Sequence, residues 1–193
     1  MKRHLFFLVL LWGAALGSAE GQKEKDWIFS EASMALEGGD AYPWGNLEDA
    51  IKPALYGQGE FSYRYWENTF GLVQFGYGYF RTQDDFKRFP GVHQFHGRVG
   101  LEHQPSWMSP LFIGAGFSCI LTRSDGGDPN DKSPGVLLAT NETEFGAFVK
   151  LKLPIWKNET YAIGVNLYWE EIWTLPQASD MLWIGFFVQR RLW

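Results

Sequence analysis

The sequence predicts an all-β protein, an eight-stranded antiparallel transmembrane up-and-down β-barrel. Three observations predict this fold: segments of about ten residues that alternate apolar and polar side chains, links of alternating length, and aromatic residues at segment ends. Residues 161–169 show the alternation most cleanly, and a period of two indicates a β-strand. The charged residues and glycines share one face, so we expect that face to point inward.

Length and composition restrict the class of protein. The 193 residues fit one barrel, and a chain that is 46% hydrophobic and 20% charged is not a disordered one. Beyond the N-terminus no apolar run approaches the roughly 20 residues of a transmembrane helix. A net charge of -5 argues against nucleic-acid binding, and a single cysteine, Cys119, excludes an internal disulfide.

The first residues have the pattern of a secretory signal. Lys2 and Arg3 precede an apolar run over residues 5–16, and small residues follow up to Ala19. We expect residues 1–19 to be a signal peptide and residues 20–193 to form the barrel. Cleavage would remove two of the 17 basic residues and none of the 22 acidic ones, so the mature chain would be more acidic still.

Alternation places eight strands along the chain. They are predicted at residues 27–37, 54–66, 70–81, 92–103, 111–121, 138–153, 161–170 and 181–193. Three links are short (67–69, 104–110 and 154–160), and the others are mostly longer (38–53, 82–91, 122–137 and 171–180). Membrane barrels inserted from the periplasm have tight periplasmic turns and larger external loops. The sequence therefore predicts which end of the barrel is outside.

Aromatic residues cluster near both ends of the predicted strands. On the short-link side they are Trp27, Trp66, Trp107, Trp156 and Tyr161, and on the long-link side Tyr79, Trp169 and Trp183. Amphipathic rings favour the headgroup level of a bilayer. We therefore expect these residues to form two aromatic girdles.

The polar face carries charges of both signs. An eight-stranded barrel has an interior that side chains fill, and opposite charges confined there should pair. The predicted charge network consists of Glu60, Arg64, Arg98, Glu102, Glu142, Glu144, Lys150, Lys152 and Glu170. We interpret it as a structural salt-bridge core in preference to a catalytic cluster or a wide ion path.

The last strand adds a more specific feature. It ends on Trp193, with Phe187 and Trp183 at alternate positions before it, whereas Gln189 and Arg191 depart from the pattern. Either a bulge turns residues 182, 184, 186 and 188 to the lipid, or Arg191 snorkels to the headgroups.

Together with the architecture, this ending resembles the small outer-membrane barrels of the OmpA, OmpX and OmpW type. The resemblance implies a location in the bacterial cell outer membrane, contact with outer-membrane lipid and a monomeric state. It also implies that the barrel-assembly machinery reads a signal at Trp193 and Phe187.

No pattern for catalysis, a cofactor or a metal site emerges. Some barrels of this size modify lipid A with His and Ser, but here His93 is the only suitably placed histidine and no serine accompanies it. His96 and Glu102 would lie about 20 Å apart along one strand, too far for one ion. The acidic loop around Asp128 lacks the spacing of a calcium loop.

Three functions remain open at this stage. The leading hypothesis is an outer-membrane barrel with a structural or surface-interaction role, or one that passes small solutes, with a possible extracellular ligand at the long loops. The alternatives are a secreted lipocalin-like barrel that binds a hydrophobic ligand and a lipid A-modifying enzyme. The outward or inward direction of residues 161, 163, 165, 167 and 169 discriminates the membrane barrel from the soluble one.

Overall fold

A computed structural model describes residues 31–83, 91–124, 141–173 and 178–192. The predicted signal peptide, Trp27, Trp193 and the acidic loop of residues 125–131 lie outside these ranges. Within these ranges the structure contains no helix with the length and hydrophobicity of a transmembrane span.

Eight strands form one closed barrel, and each pairs antiparallel with its neighbours in sequence. The strands β1 to β8 are Ala32–Trp44, Ala54–Trp66, Thr69–Arg81, Gly91–His103, Phe112–Ser124, Asn141–Lys157, Tyr161–Ile172 and Ser179–Arg191. β1 also pairs with β8, which closes the sheet. The predicted fold class and the number of strands are confirmed, and closure leaves no unpaired edge.

The predicted bounds of the first strand are wrong. Gly38, Gly39 and Asp40 look like turn formers in the sequence, but they lie inside β1 and pair with both β2 and β8. A Cβ on Gly39 would lie 2.0 Å from the carbonyl oxygen of Ile184. Glycine at this position therefore permits a close approach of two strands and does not mark a turn.

The predicted link between the sixth and seventh strands is also shorter in the structure. β6 continues through Pro154 to Lys157, with a register shift between Pro154 and Trp156. A bulge tolerates the missing N–H of proline inside a strand. The turn itself is tight, because Asn158 Oδ1 accepts hydrogen bonds from the backbone N–H groups of Thr160 (2.9 Å) and Tyr161 (2.7 Å).

The connections at one end of the barrel are mostly shorter than those at the other end. At the short-turn end they are residues 67–68, 104–111 and 158–160, and at the long-loop end they are 45–53, 82–90, 125–140 and 173–178. The loop 45–53 folds back so that Ile51 is buried and bridges to Thr82. Ile51 joins Phe80, Val92 and Met181 in an apolar cap inside the long-loop end.

The two faces of the sheet have the polarity of a membrane barrel. On β7, Ile163 and Leu167 point outward and are 44% and 37% exposed, whereas Asn166, Tyr168 and Glu170 are buried inside. Large apolar side chains are exposed on the outer face of all eight strands. A soluble protein rarely exposes so extended an apolar surface. The lipocalin-like alternative is therefore wrong.

Candidate functional site

Seven charged side chains lie together inside the barrel, and we call them the charge network. All are buried, because each occupies an inward position on a strand of the closed sheet. They are Glu37 on β1, Glu60 on β2, Arg98 and Glu102 on β4, Lys150 and Lys152 on β6, and Glu170 on β7. The network thus draws on five of the eight strands.

Lys150 is the centre of one half of the network. Its Nζ forms ion pairs with Glu60, with Glu102 Oε1 at 2.5 Å and with Glu37 Oε1 at 3.5 Å. Lys152 Nζ binds the second oxygen of Glu60 at 2.6 Å. One ammonium group therefore links carboxylates from three different strands across the lumen.

Arg98 and Glu170 form the other half. Arg98 Nη2 lies 2.6 Å from Glu170 Oε2, and Arg98 Nε donates to Glu170 Oε1 at 3.2 Å, which makes the pair bidentate. The third nitrogen, Nη1, donates to Gln58 Oε1 at 2.7 Å. The guanidinium carbon also lies 4.8 Å from the ring centre of Trp183. A planar guanidinium that donates a hydrogen bond from each of its three nitrogens suits a buried site better than a lysine would.

Neutral polar side chains connect the two halves. Tyr168 donates its hydroxyl hydrogen to Glu37 and accepts hydrogen bonds from Gln58 Nε2 (2.9 Å) and Gln74 Nε2 (2.8 Å). Gln74 Nε2 also lies 2.5 Å from Glu60 Oε2. The sequence prediction omitted these residues and Glu37, although all of them have the inward parity of their strands. This inward parity could have identified them from the sequence.

The arrangement fills the lumen with paired charge. A charge removed from water is tolerated only when opposite charges and hydrogen bonds surround it, and the network supplies both. Phe148, Leu72 and Phe187 fill space around it and are fully buried. The described part of the barrel interior is thus occupied by buried side chains that pair with one another.

Three of the predicted network residues are not in it. Arg64 lies at the short-turn rim with 39% of its side chain exposed and pairs with Glu31. Glu142 is exposed near the start of β6, and Glu144 is half-buried beside the long-loop end. All three have the inward parity, but Arg64 and Glu142 lie at the rims of the barrel. The prediction was wrong for these two because alternation determines the face and not the depth.

The last strand also requires a correction. Trp183 and Phe187 point into the barrel and are fully buried, so Trp183 is not a girdle residue and Phe187 does not face the lipid. The outward residues of β8 are Leu182, Ile184, Phe186 and Val188, as the first of the two alternatives required. No bulge is involved, because β8 pairs in continuous register with both neighbours. Trp183 instead packs edge-on against Tyr56 at 5.0 Å.

The remaining predicted girdle residues are at the two ends. Trp66, Trp107, Trp156 and Tyr161 are exposed at the short-turn end. At the long-loop end Trp169 is exposed and Tyr79 is half-buried. Beside them, His93 lies on the outer face and hydrogen-bonds Tyr77 at 2.7 Å. Within the described residues, no group of three His, Cys, Asp or Glu side chains could hold a metal ion.

Comparisons with known proteins agree with this architecture. No family model and no curated protein matches the sequence. Among solved structures, the chain is similar to Neisserial surface protein A (TM-score 0.57, 12% identity, 82% of this chain and 96% of that chain). It is also similar to Ail of Yersinia pestis (TM-score 0.56, 9% identity, 86% of this chain and 100% of that chain). This chain therefore has the fold of the small eight-stranded outer-membrane β-barrels of bacteria.

Proposed function

We propose that this protein is a bacterial outer-membrane barrel with a closed lumen, which acts at the cell surface through its long loops and has no catalytic role. One observation carries the proposal: the charge network and its neutral partners occupy the lumen without leaving an unpaired cation. The barrel wall then serves as a rigid support. The loops 45–53, 82–90, 125–140 and 173–178 are the parts available for recognition.

The closed lumen favours a surface role over solute passage. A solute crossing the barrel would have to displace Arg98 from Glu170 or Lys150 from three carboxylates, and breaking a buried ion pair costs about 3–5 kcal/mol. It would also have to pass the apolar cap of Ile51, Phe80, Val92 and Met181. Small-solute passage is therefore the less favoured of the two functions.

The loops suit a partner outside the cell. Membrane barrels carry long loops externally and short turns in the periplasm, and this orientation places the short-turn end in the periplasm. Ail has been solved with the heparin analogue sucrose octasulfate, which is a precedent for ligand binding on this fold. We also propose that the barrel is monomeric, contacts outer-membrane lipid and is inserted by the barrel-assembly machinery.

Planar-bilayer recording tests the closed lumen. We expect the purified protein to insert without producing stable conductance steps, because the charge network blocks the ion path. An eight-stranded barrel with a demonstrated channel, inserted under the same conditions, shows that the recording detects small conductances. Reproducible steps that scale with salt concentration would establish the passage function and contradict the proposal.

N-terminal sequencing tests the export route. We expect the protein recovered from the outer-membrane fraction to begin at Glu20, since Ala19 ends a run of small residues that suits signal-peptide cleavage. In the same fraction the unheated protein should migrate differently from the heated one on a gel. Recovery from the soluble periplasm, or a chain that still begins at Met1, would contradict this assignment.

A further inference from the structure

A shallow apolar groove lies on the outside of the barrel, where β8, β1, β2 and β3 run side by side. Its volume is about 510 Å³. Its apolar walls are Met34, Leu36, Phe61, Val73, Phe75 and Val188. The groove is thus a recess in the lipid-facing surface, separate from the lumen.

A glycine forms the floor of this groove. Gly59 has no atom within 4 Å of the position where a Cβ would lie. Its partners on the adjacent strands, Leu36 and Phe75, have large side chains that are 74% and 71% exposed. The missing side chain between two large ones makes a space into which an extended hydrocarbon chain fits.

A single arginine lies at one end of the groove. Arg190 is the next-to-last residue of β8, on the outward parity, and pairs with Met34 of β1. Its guanidinium forms no ion pair or hydrogen bond with the described residues, unlike that of Arg191, which pairs with Glu31. The acidic lining residue Glu60 directs its carboxylate into the lumen, where Lys150 and Lys152 bind it. The groove therefore combines an apolar trough with one positive charge that no described residue compensates.

We propose that this groove binds one glycerophospholipid of the periplasmic leaflet, with its phosphate on Arg190 and an acyl chain over Gly59. The proposal rests on the membrane location and orientation proposed above, which place Arg190 at the periplasmic headgroup level. A guanidinium binds phosphate oxygens by charge-assisted hydrogen bonds. The acyl chain removes exposed apolar surface of the groove from contact with disordered lipid, and it packs against Leu36 and Phe75. The groove thus offers a contact for the headgroup and a contact for an acyl chain of the same lipid molecule.

Native mass spectrometry of the barrel released from nanodiscs of phosphatidylethanolamine and phosphatidylglycerol tests this site. We expect the wild-type protein to retain one phospholipid per chain. Gly59→Leu should abolish that species because it fills the floor, and Arg190→Gln should reduce it about tenfold because one charged hydrogen-bonding partner is lost. Gly59 has open space around it, so the leucine variant should fold, and heat-modifiable gel migration verifies this.

Two matched variants control for general effects on lipid contact. Gly57→Leu adds the same side chain two residues away on the outer face of β2, where the nearest atom is 4.0 Å from the Cβ position. Arg123→Gln removes an exposed outward arginine at the long-loop end of β5, opposite to the end of the barrel where Arg190 lies. Both should retain lipid as the wild type does.

Three outcomes would overturn the site. They are a wild-type protein that retains no phospholipid, equal loss in all four variants, or a dimer in place of the lipid-bound monomer. The measurement uses purified protein in nanodiscs and does not depend on conductance or on cellular location. A failure of the lipid site is therefore distinguishable from a failure of the proposed function.

Discussion

Replacing Lys150 by methionine is expected to destabilise the barrel by about 3–5 kcal/mol, the cost of removing one partner of a buried ion pair. The ammonium group contacts Glu60, Glu102 and Glu37, and all four side chains are buried. Methionine preserves most of the volume, so the loss comes from the carboxylates left without their cation. The free energy of unfolding, measured by urea titration of the vesicle-inserted protein with tryptophan fluorescence, reports the change.

Lys157→Met is the matched control for this experiment. Lys157 is the exposed last residue of the same strand, so its replacement should change the free energy of unfolding by no more than about 0.5 kcal/mol. The double variant Lys150→Met with Glu102→Gln should recover part of the loss, because it removes one of the stranded charges. If Lys150→Met costs less than about 1 kcal/mol, the charge network does not stabilise the fold as described.

An arginine in the middle of the outer face is expected to have the second largest effect. Phe117 lies near the centre of β5, points outward and is exposed. Phe117→Arg should cost about 2–4 kcal/mol, since a charge on the lipid face is most unfavourable at the bilayer midplane. The same unfolding titration measures it, and a cost near zero would indicate that this face does not contact hydrocarbon.

A second position on the same strand tests the dependence on depth. Ile113 also points outward but is the second residue of β5, next to the short-turn end. Ile113→Arg should cost only about 0–1 kcal/mol, because an arginine there reaches the headgroups. Equal costs at the two positions would contradict a bilayer of finite thickness around the barrel and would point to an ordinary packing defect.

Alternation in the sequence predicted the face of each side chain well, and strand ends poorly. Glu60 and Lys150 have the inward parity in both the prediction and the structure, since a strand alternates strictly. Arg64 and Glu142 share that parity, yet they lie at opposite rims. Their exposure depends on where the neighbouring strands end, which the sequence of one strand does not contain.

Trp183 shows a second limit of prediction from the sequence. An aromatic residue near a strand end in a membrane barrel suggests a girdle, and the composition of β8 allows either face to be apolar. The pairing of β8 with β1 and β7 turns Trp183 inward, where its ring packs against Tyr56 and His96 at 5.0 and 4.9 Å. The last strand has apolar residues on both faces, so only its register with two neighbours decides which face is inside.

The strand number, the closed barrel class and the inward direction of the charges can be read from the amino-acid sequence, because they follow from local periodicity and from the alternation of turns. Which charges meet depends on contacts between distant strands. Glu37, Glu60 and Glu102 come from three strands, and their convergence on Lys150 depends on the relative register of strands far apart in the chain. Register is a property of pairs of strands. The recess that Leu36 and Phe75 form over Gly59 likewise depends on the register of β2 with β1 and β3.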